Sequence, residues 1–298
     1  MQLEFRNIDV GDVAAFVEHW SFTDQHASDY SFPILLGWAF DYGYQVFEEK
    51  STDLLWIRQT KPSLYNLAPI GGWHRGDWKQ LIKEHYGSSA EFWLVPERLV
   101  DIWRYQFGAA LEIEEDRGNW EYLYDIKSLA TLSGNKYMKK RNRVNQFSRT
   151  YNYAYEEISR ENAAEVMDFQ QSWCQANNCG STPGLVQESH GIQRILQSWD
   201  SIPDLRGGLL RVDGNIAAYT IGELAGDTVL VHFEKASLEY GAGYQVINKE
   251  FLSHMLDEDP DLVTVNREED MNDPGLREAK MSYLPKGFIK KFHVKMSL

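Results

Sequence analysis

No apolar run in this sequence reaches membrane-spanning length. A helix that crosses a bilayer needs about 20 predominantly apolar residues. The longest candidate, Phe32 to Phe40, is under half that length and is broken by Pro33 and Gly37. The opening residues, Met1 to Arg6, lack the basic-then-apolar layout of a signal peptide, so a cytoplasmic location is expected. Cysteine is scarce, with only Cys174 and Cys179. A zinc site would want two further ligands at close spacing, and none is visible; two free thiols near a helix end are expected. There is no Gly-x-x-x-x-Gly-Lys-Ser/Thr loop, no His-Glu-x-x-His and no Gly-x-Ser-x-Gly elbow. The commonest nucleotide-hydrolase, zinc-protease and serine-hydrolase signatures are thus missing. Positive charge is also short, with 30 Lys and Arg against 44 Asp and Glu and a net charge of −14. That balance argues against general affinity for nucleic acid or anionic membranes.

What is present is long enough for two cores. At 298 residues the chain exceeds the usual single-core range, and two domains, 1–150 and 151–298, are expected. Hydrophobic periodicity predicts an α/β protein with mixed (α+β) sheets. In the first half, helices are expected near 11–20, 76–85 and 97–107, and strands at 3–6, 43–49, 54–59, 65–70, 91–95 and 120–126. The second half is expected to hold a strand at 153–158 and helices at 161–176 and 185–199. A hairpin over Leu209–Gly222 turns on Asp213-Gly214-Asn215, residues that tolerate positive φ. A strand at 228–233, a helix at 241–256, a strand at 262–265, a helix at 274–283 and a last strand at 288–296 follow.

One basic island interrupts the acidic body. From Lys127 to Thr150 there are seven Lys and Arg and no Asp or Glu. The expected helix Asn135–Arg149 can be capped by Ser133 or Asn135. It aligns Lys136, Lys139, Lys140 and Arg143 at i, i+3, i+4 and i+7, on one face. With no carboxylate at i±4, these cations cannot pair within the helix. They either meet the acidic body or bind phosphates.

A second segment runs from the strand around His232, Glu234 and Lys235 to Gly241-Ala-Gly243, which opens a helix. Exposed amides at a helix start form an anion site, and glycine permits close backbone approach; a simple tight turn is the alternative. His232 is read as packing rather than acting as a base. A third segment, Val265 to Pro285, ends a strand near Asn266, crosses a polar loop, and restarts as a helix with Pro274 as its first residue. Polar groups at the C-terminal end of a strand are the usual place for an α/β site. Arg267 and Asp270 are either site residues or a loop-locking ion pair. Arg277 and Lys280, three residues apart and followed by Ser282 and Tyr283, suit an anion.

These segments together resemble the bacterial family that shares the C-terminal domain of phosphatidylglycerol lysyltransferases. The resemblance rests on Leu132 to Phe147, on Phe233-Glu-Lys-Ala with its glycine-containing helix start, on Asn266-Arg-Glu-Glu-Asp, and on Gly275 to Pro285. It covers about nine-tenths of the chain. It implies two tandem GNAT-like acyltransferase domains, as in Fem-type aminoacyltransferases. It also implies transfer of an acyl or aminoacyl group to a hydroxyl or amine, with a small molecule or lipid head group as acceptor. Aminoacyl-tRNA or acyl-CoA would serve as co-substrate, with no tightly bound cofactor and no metal. GNAT enzymes that hold coenzyme A carry Gln or Arg three residues before the first glycine; Leu238 stands there in this chain.

On this reading Glu234, Glu268 and Asp270 are the candidate general bases. Lys235, Asn266, Arg267, Arg277, Lys280, Ser282, Tyr283, Gly241 and Gly243 would bind substrate or phosphate. Lys139, Lys140, Arg141 and Arg143 would meet the donor, including tRNA. The alternative is a binding module of the same fold that senses an anionic or phosphorylated ligand without chemistry.

Overall fold

The computed structural model describes residues 4–298; Leu3 of the expected first strand lies outside them, and that strand is described as Arg6–Asn7. The chain forms two compact units, each with its own mixed sheet, interleaved along the sequence. The first comprises residues 1–121, 269–273 and 289–298, and the second 122–268 and 274–288. A break at 150 was expected. It falls instead at 121/122, and the basic helix belongs wholly to the second unit. That helix carries too few apolar residues to stand alone, and it packs through Val144 and Phe147, both buried, into the second unit's core.

The first unit is built on eight strands in the order Arg6–Asn7, Gln45–Glu49, Leu54–Gln59, Tyr65–Leu67, Ser89–Pro96, Lys291–Ser297 and Leu111–Glu115, with Ile70–Gly71 paired to Leu54–Gln59. Its core is aromatic. Trp56, Trp78 and Trp103 are fully buried, in edge-on pairs with ring centroids 6.3 and 5.5 Å apart. Such pairs add about 0.5–1.5 kcal/mol each beyond area burial.

The second unit has seven strands in the order Gly287–Ile289, Glu121–Asp125, Thr264–Asn266, Thr228–Ala236, Asn215–Ala225, Leu205–Val212 and Tyr153–Glu157. The predicted hairpin is present, and Asp213 (φ 49°) and Gly214 (φ 86°) turn it. Helix Gly243–Glu258 buries Val246, Ile247, Phe251, Leu252 and Met255. Helices Ala163–Ala176 and Pro183–Gln197 precede the hairpin.

Four local expectations are corrected. The strand expected at 65–70 is two short strands that pair with opposite ends of Leu54–Gln59, and only the first, Tyr65–Leu67, also pairs with Ser89–Pro96. The strand expected at 288–296 is broken at Lys290, and its two pieces serve different sheets. The basic helix runs Met138–Thr150 after a 3-10 turn at Asn135–Tyr137, and neither element has a side-chain cap. Cys174 and Cys179 form a disulfide, with Cα atoms 5.1 Å apart, rather than remaining free. The helix between them ends at Ala176, and the turn that follows brings the second sulfur back to the first.

Candidate functional site

The site in the second unit begins with a parting of strands. Thr228–Ala236 pairs in parallel with Thr264–Asn266 only from Thr228 to Leu230. On its other side it stays paired to Asn215–Ala225 through Ala236. From Val231 onward, therefore, one edge of a central strand is released from the ladder. A register shift lies in this stretch: Ile221 faces Phe233 and Gly222 faces Val231, so His232 is the extra, bulged residue. A bulge redirects a side chain that regular pairing would hold elsewhere. At Gly222 an added Cβ would lie 2.2 Å from the Leu230 carbonyl oxygen, so only glycine fits the shift.

His232 was expected merely to pack; its fully buried ring does more. Nδ1 lies 2.7 Å from Glu268 Oε1 and Nε2 lies 3.2 Å from Glu223 Oε1. Burial alone would lower the imidazole, but hydrogen bonds to Glu223 and Glu268, with their charges, carry it up to about 10. The ring is an imidazolium at neutral pH. Both of its N–H groups are given to carboxylates, so it orients Glu268 and takes no proton. Glu268 itself has φ +57°, a conformation that costs a non-glycine residue about 1–3 kcal/mol. Its amide donates to Asn266 Oδ1 at 2.9 Å and its carbonyl accepts from the Tyr122 amide at 3.1 Å. Asn266 is thus a buried brace for Glu268.

Two residues further along the bulged strand, Glu234 Oε2 accepts from Arg267 at 2.6 Å and from Asn248 Nδ2 at 3.3 Å. Its side chain is 10% exposed, and Oε1 is buried without a hydrogen-bond partner among the described residues. Arg267 also lies over the Tyr283 ring, 4.8 Å from its centroid. Burial would lower its guanidinium, but the Glu234 charge beside it raises it above its ordinary value. Lys140, from the basic helix, lies 4.1 Å from the centroid of that same ring. Its Nζ donates to the carbonyl and the hydroxyl of Ser282, each at 2.9 Å. Burial, then the charges of Arg143 and Arg267, lowers the Lys140 ammonium from its ordinary value. Cations separated by more than 100 residues in sequence thus meet at one tyrosine, held in place by Tyr137, whose hydroxyl donates to the Tyr283 carbonyl at 3.1 Å.

Other expected residues take other places. Lys280 donates to the Arg267 carbonyl and lies 5.9 Å from the Tyr122 ring centroid, while Arg277 is half-buried on the same helix, Pro274–Met281. Arg141 donates to the carbonyls of Leu132 and Gly134 at 2.5 and 2.9 Å, securing the turn before its own helix. Lys139 and Arg143 are exposed, with neither a hydrogen bond nor an ion pair among the described residues. Lys235 points away from this group: its Nζ sits 2.7 Å from Glu188 and 4.5 Å from the Trp173 ring centroid. Gly243 packs against Ala236, where an added Cβ would come within 3.0 Å. Its amide and those of Gln245 and Val246 are taken up by Tyr240 and Ala242 carbonyls, while Gly241 faces open space. The glycine turn is therefore committed to close packing more than to holding an anion. Asp270 is fully buried in the first unit, 3.1 Å from Arg117, and accepts from the Asn272 amide at 2.9 Å. Its ion-pair partner is Arg117 rather than Arg267.

Sequence reasoning missed Glu223, Asn248 and Tyr137. Glu223 faces Leu230 across the hairpin, and a carboxylate inside an otherwise apolar strand was the signal available for it.

Two mixed sheets interleaved along one chain, the second with a parted, bulged central strand, make a tandem GNAT-like fold. Residues 20–295 match the family model "Phosphatidylglycerol lysyltransferase, C-terminal", and the chain belongs to that family. Its fold is similar to that of a conserved protein of unknown function from Bacteroides thetaiotaomicron, at 28% identity and TM-score 0.87, covering 99% of this chain and 100% of that one. It is also similar to the C-terminal domain of a putative lysylphosphatidylglycerol synthetase from Agrobacterium fabrum, at 15% identity and TM-score 0.66, covering 96% and 92%. FemX matches at 8% identity and TM-score 0.61 over 99% and 98%. An uncharacterised protein of Mycoplasmoides gallisepticum is 26% identical over 179 residues, 59% of this chain and 56% of that protein, so the match spans little more than half of that relative's length. Among the described residues no helix is long and apolar enough to cross a membrane.

Proposed function

We propose that the second unit transfers an aminoacyl or acyl group from a phosphate-bearing donor to a hydroxyl or amine. Aminoacyl-tRNA is the leading donor and an acyl thioester the alternative. The family's name points to a phospholipid head group as acceptor. The observation that carries this reading is the meeting of Lys140 and Arg267 on Tyr283, beside a carboxylate with an unused, buried oxygen. A buried acceptor without a donor costs about 1–3 kcal/mol, which an incoming hydroxyl or ammonium would recover.

In the step envisaged, the acceptor's O–H or N–H approaches Glu234 Oε1 and its heteroatom attacks the donor's carbonyl carbon. The proton passes to Glu234, and the negative charge developing on the carbonyl oxygen is met by amides on the released edge after Val231. Collapse of the adduct breaks the donor's ester bond, and the leaving oxygen takes the proton back. Glu268, fixed by His232 and Asn266, is the second candidate base. Lys139 and Arg143, exposed beside Lys140, would meet donor phosphates, and Lys280 and Arg277 would border the acceptor side.

Incubation of the protein with charged tRNA and anionic-lipid vesicles tests this, with modified lipid and released amino acid measured. Product should form with the wild type and fall at least 100-fold in Glu234→Gln, within the range general acid–base catalysis contributes. Full turnover in Glu234→Gln would remove that residue from the mechanism. Binding of donor with no product from the wild type would leave the non-catalytic module as the better account.

A further inference from the structure

A second cluster of charged side chains lies elsewhere in the second unit and serves no step of the proposed transfer. Glu157 ends the strand Tyr153–Glu157, and His254 and Glu258 sit one turn apart on helix Gly243–Glu258, so their side chains share a face. One ligand atom from each lies within 4.8 Å of the other two. His254 Nε2 is 3.1 Å from Glu157 Oε1 and 3.5 Å from Glu258 Oε1. Nε2 is buried and makes no well-formed hydrogen bond to either carboxylate. Two ligand atoms about 2.0–2.1 Å from one ion in tetrahedral array stand roughly 3.3 Å apart, and both distances bracket that value.

The surroundings suit an ion as well. All three residues line a cavity of about 260 Å³, together with Trp199, Gly207 and Met255. Arg206 approaches the other oxygen of Glu258, Oε2, at 3.8 Å, leaving Oε1 for the ion. The Glu157 backbone is fixed by pairing with Gly208 and by Asn162 Nδ2, which donates to its carbonyl at 2.8 Å. Tyr155, on the same face of the strand as Glu157, packs its ring 5.2 Å from the His254 ring. Its hydroxyl is buried and has no hydrogen-bond partner among the described residues.

We propose that Glu157, His254 and Glu258 bind a divalent transition metal of the zinc type, three protein ligands leaving a position for water in the adjoining cavity. One imidazole and two carboxylates are a borderline ligand set that suits zinc, cobalt or manganese over calcium or magnesium. The untagged full chain, stripped with EDTA, should take up one equivalent of Zn²⁺ by calorimetry and show visible absorption with Co²⁺. His254→Ala should weaken Zn²⁺ binding by more than the ~10–100-fold that loss of an outer partner costs, and Glu157→Gln should weaken it in the same direction. Circular dichroism in EDTA would show that the variants are folded, and Glu157→Gln, at an exposed position, carries the test alone if His254→Ala unfolds. No heat of binding in the wild type, or uptake unchanged by both variants, would overturn the site.

Discussion

Each unit sets cations beside carboxylates, and the two do so in opposite proportion. In the first, the fully buried Lys291 meets Asp29, Glu121 at 2.7 Å and Glu269 at 3.9 Å. Glu121 Oε1 also accepts from the Ser28 amide and hydroxyl, each at 2.8 Å. The Asp29 charge and those of Glu121 and Glu269 hold the ammonium well above its ordinary value against the desolvation that would lower it. In the second, Lys140, Arg143 and Arg267 gather with Glu234 as the partner carboxylate, and one of its oxygens is unused. A cation already surrounded by acid has no need of a ligand, whereas a surplus of cations beside an idle acceptor is completed by one. The same chemistry builds a rivet in one unit and, on the proposed function, a receptor in the other.

The largest expected effect breaks the first arrangement. Lys291→Met should lower unfolding free energy by about 3–5 kcal/mol, as removal of one partner of a buried ion pair does, measured by denaturant titration. A loss under about 1 kcal/mol would mean the rivet is not one. Next comes the His232 clamp. Its folded value of about 10 lies above the ordinary 6.5, so its stabilising contribution is complete below about pH 6.5 and disappears as pH rises through 10. The wild type should therefore lose stability across pH 7–10, and His232→Gln should flatten that part of the profile. Equal slopes in both proteins would contradict the clamp.

The comparison is sharpened by a change that should leave the fold alone. Lys139→Ala with Arg143→Ala should shift stability by no more than about 0.5 kcal/mol, as surface changes do. It should nonetheless weaken binding of aminoacyl-tRNA and reduce the salt dependence by about 0.7–0.9 per lost phosphate contact. A salt slope identical to that of the wild type would place the donor elsewhere.

Much of this was legible from local pattern. The turn at Asp213-Gly214, the strand at Leu54–Gln59 and the helix begun by Pro274 follow from residue chemistry within a few positions. The strand Leu111–Glu115 was not foreseen, because three of its five residues are glutamate and acid disfavours strands. The site was legible in part: Lys140, Arg267, Ser282 and Tyr283 were candidates, and they do come together. Their meeting spans 142 residues from Lys140 to Ser282, a distance over which periodicity carries no information. For the same reason Glu188 beside Lys235, Glu223 beside His232 and Arg117 beside Asp270 were invisible, since each pairing is made by the fold. The domain boundary failed on similar grounds, because a helix with a basic face gives no sign of which core receives its two buried residues.

The strand Lys291–Ser297 lies between Ser89–Pro96 and Leu111–Glu115 in the first unit's sheet. On the ribosome, everything from 122 to 288 is made before it. During synthesis the earlier-translated sheet must therefore wait with a slot open between two of its strands, while the later-translated one has all of its own strands to hand. A ribosome-stalled chain ending near residue 289 should consequently expose that slot to chaperones.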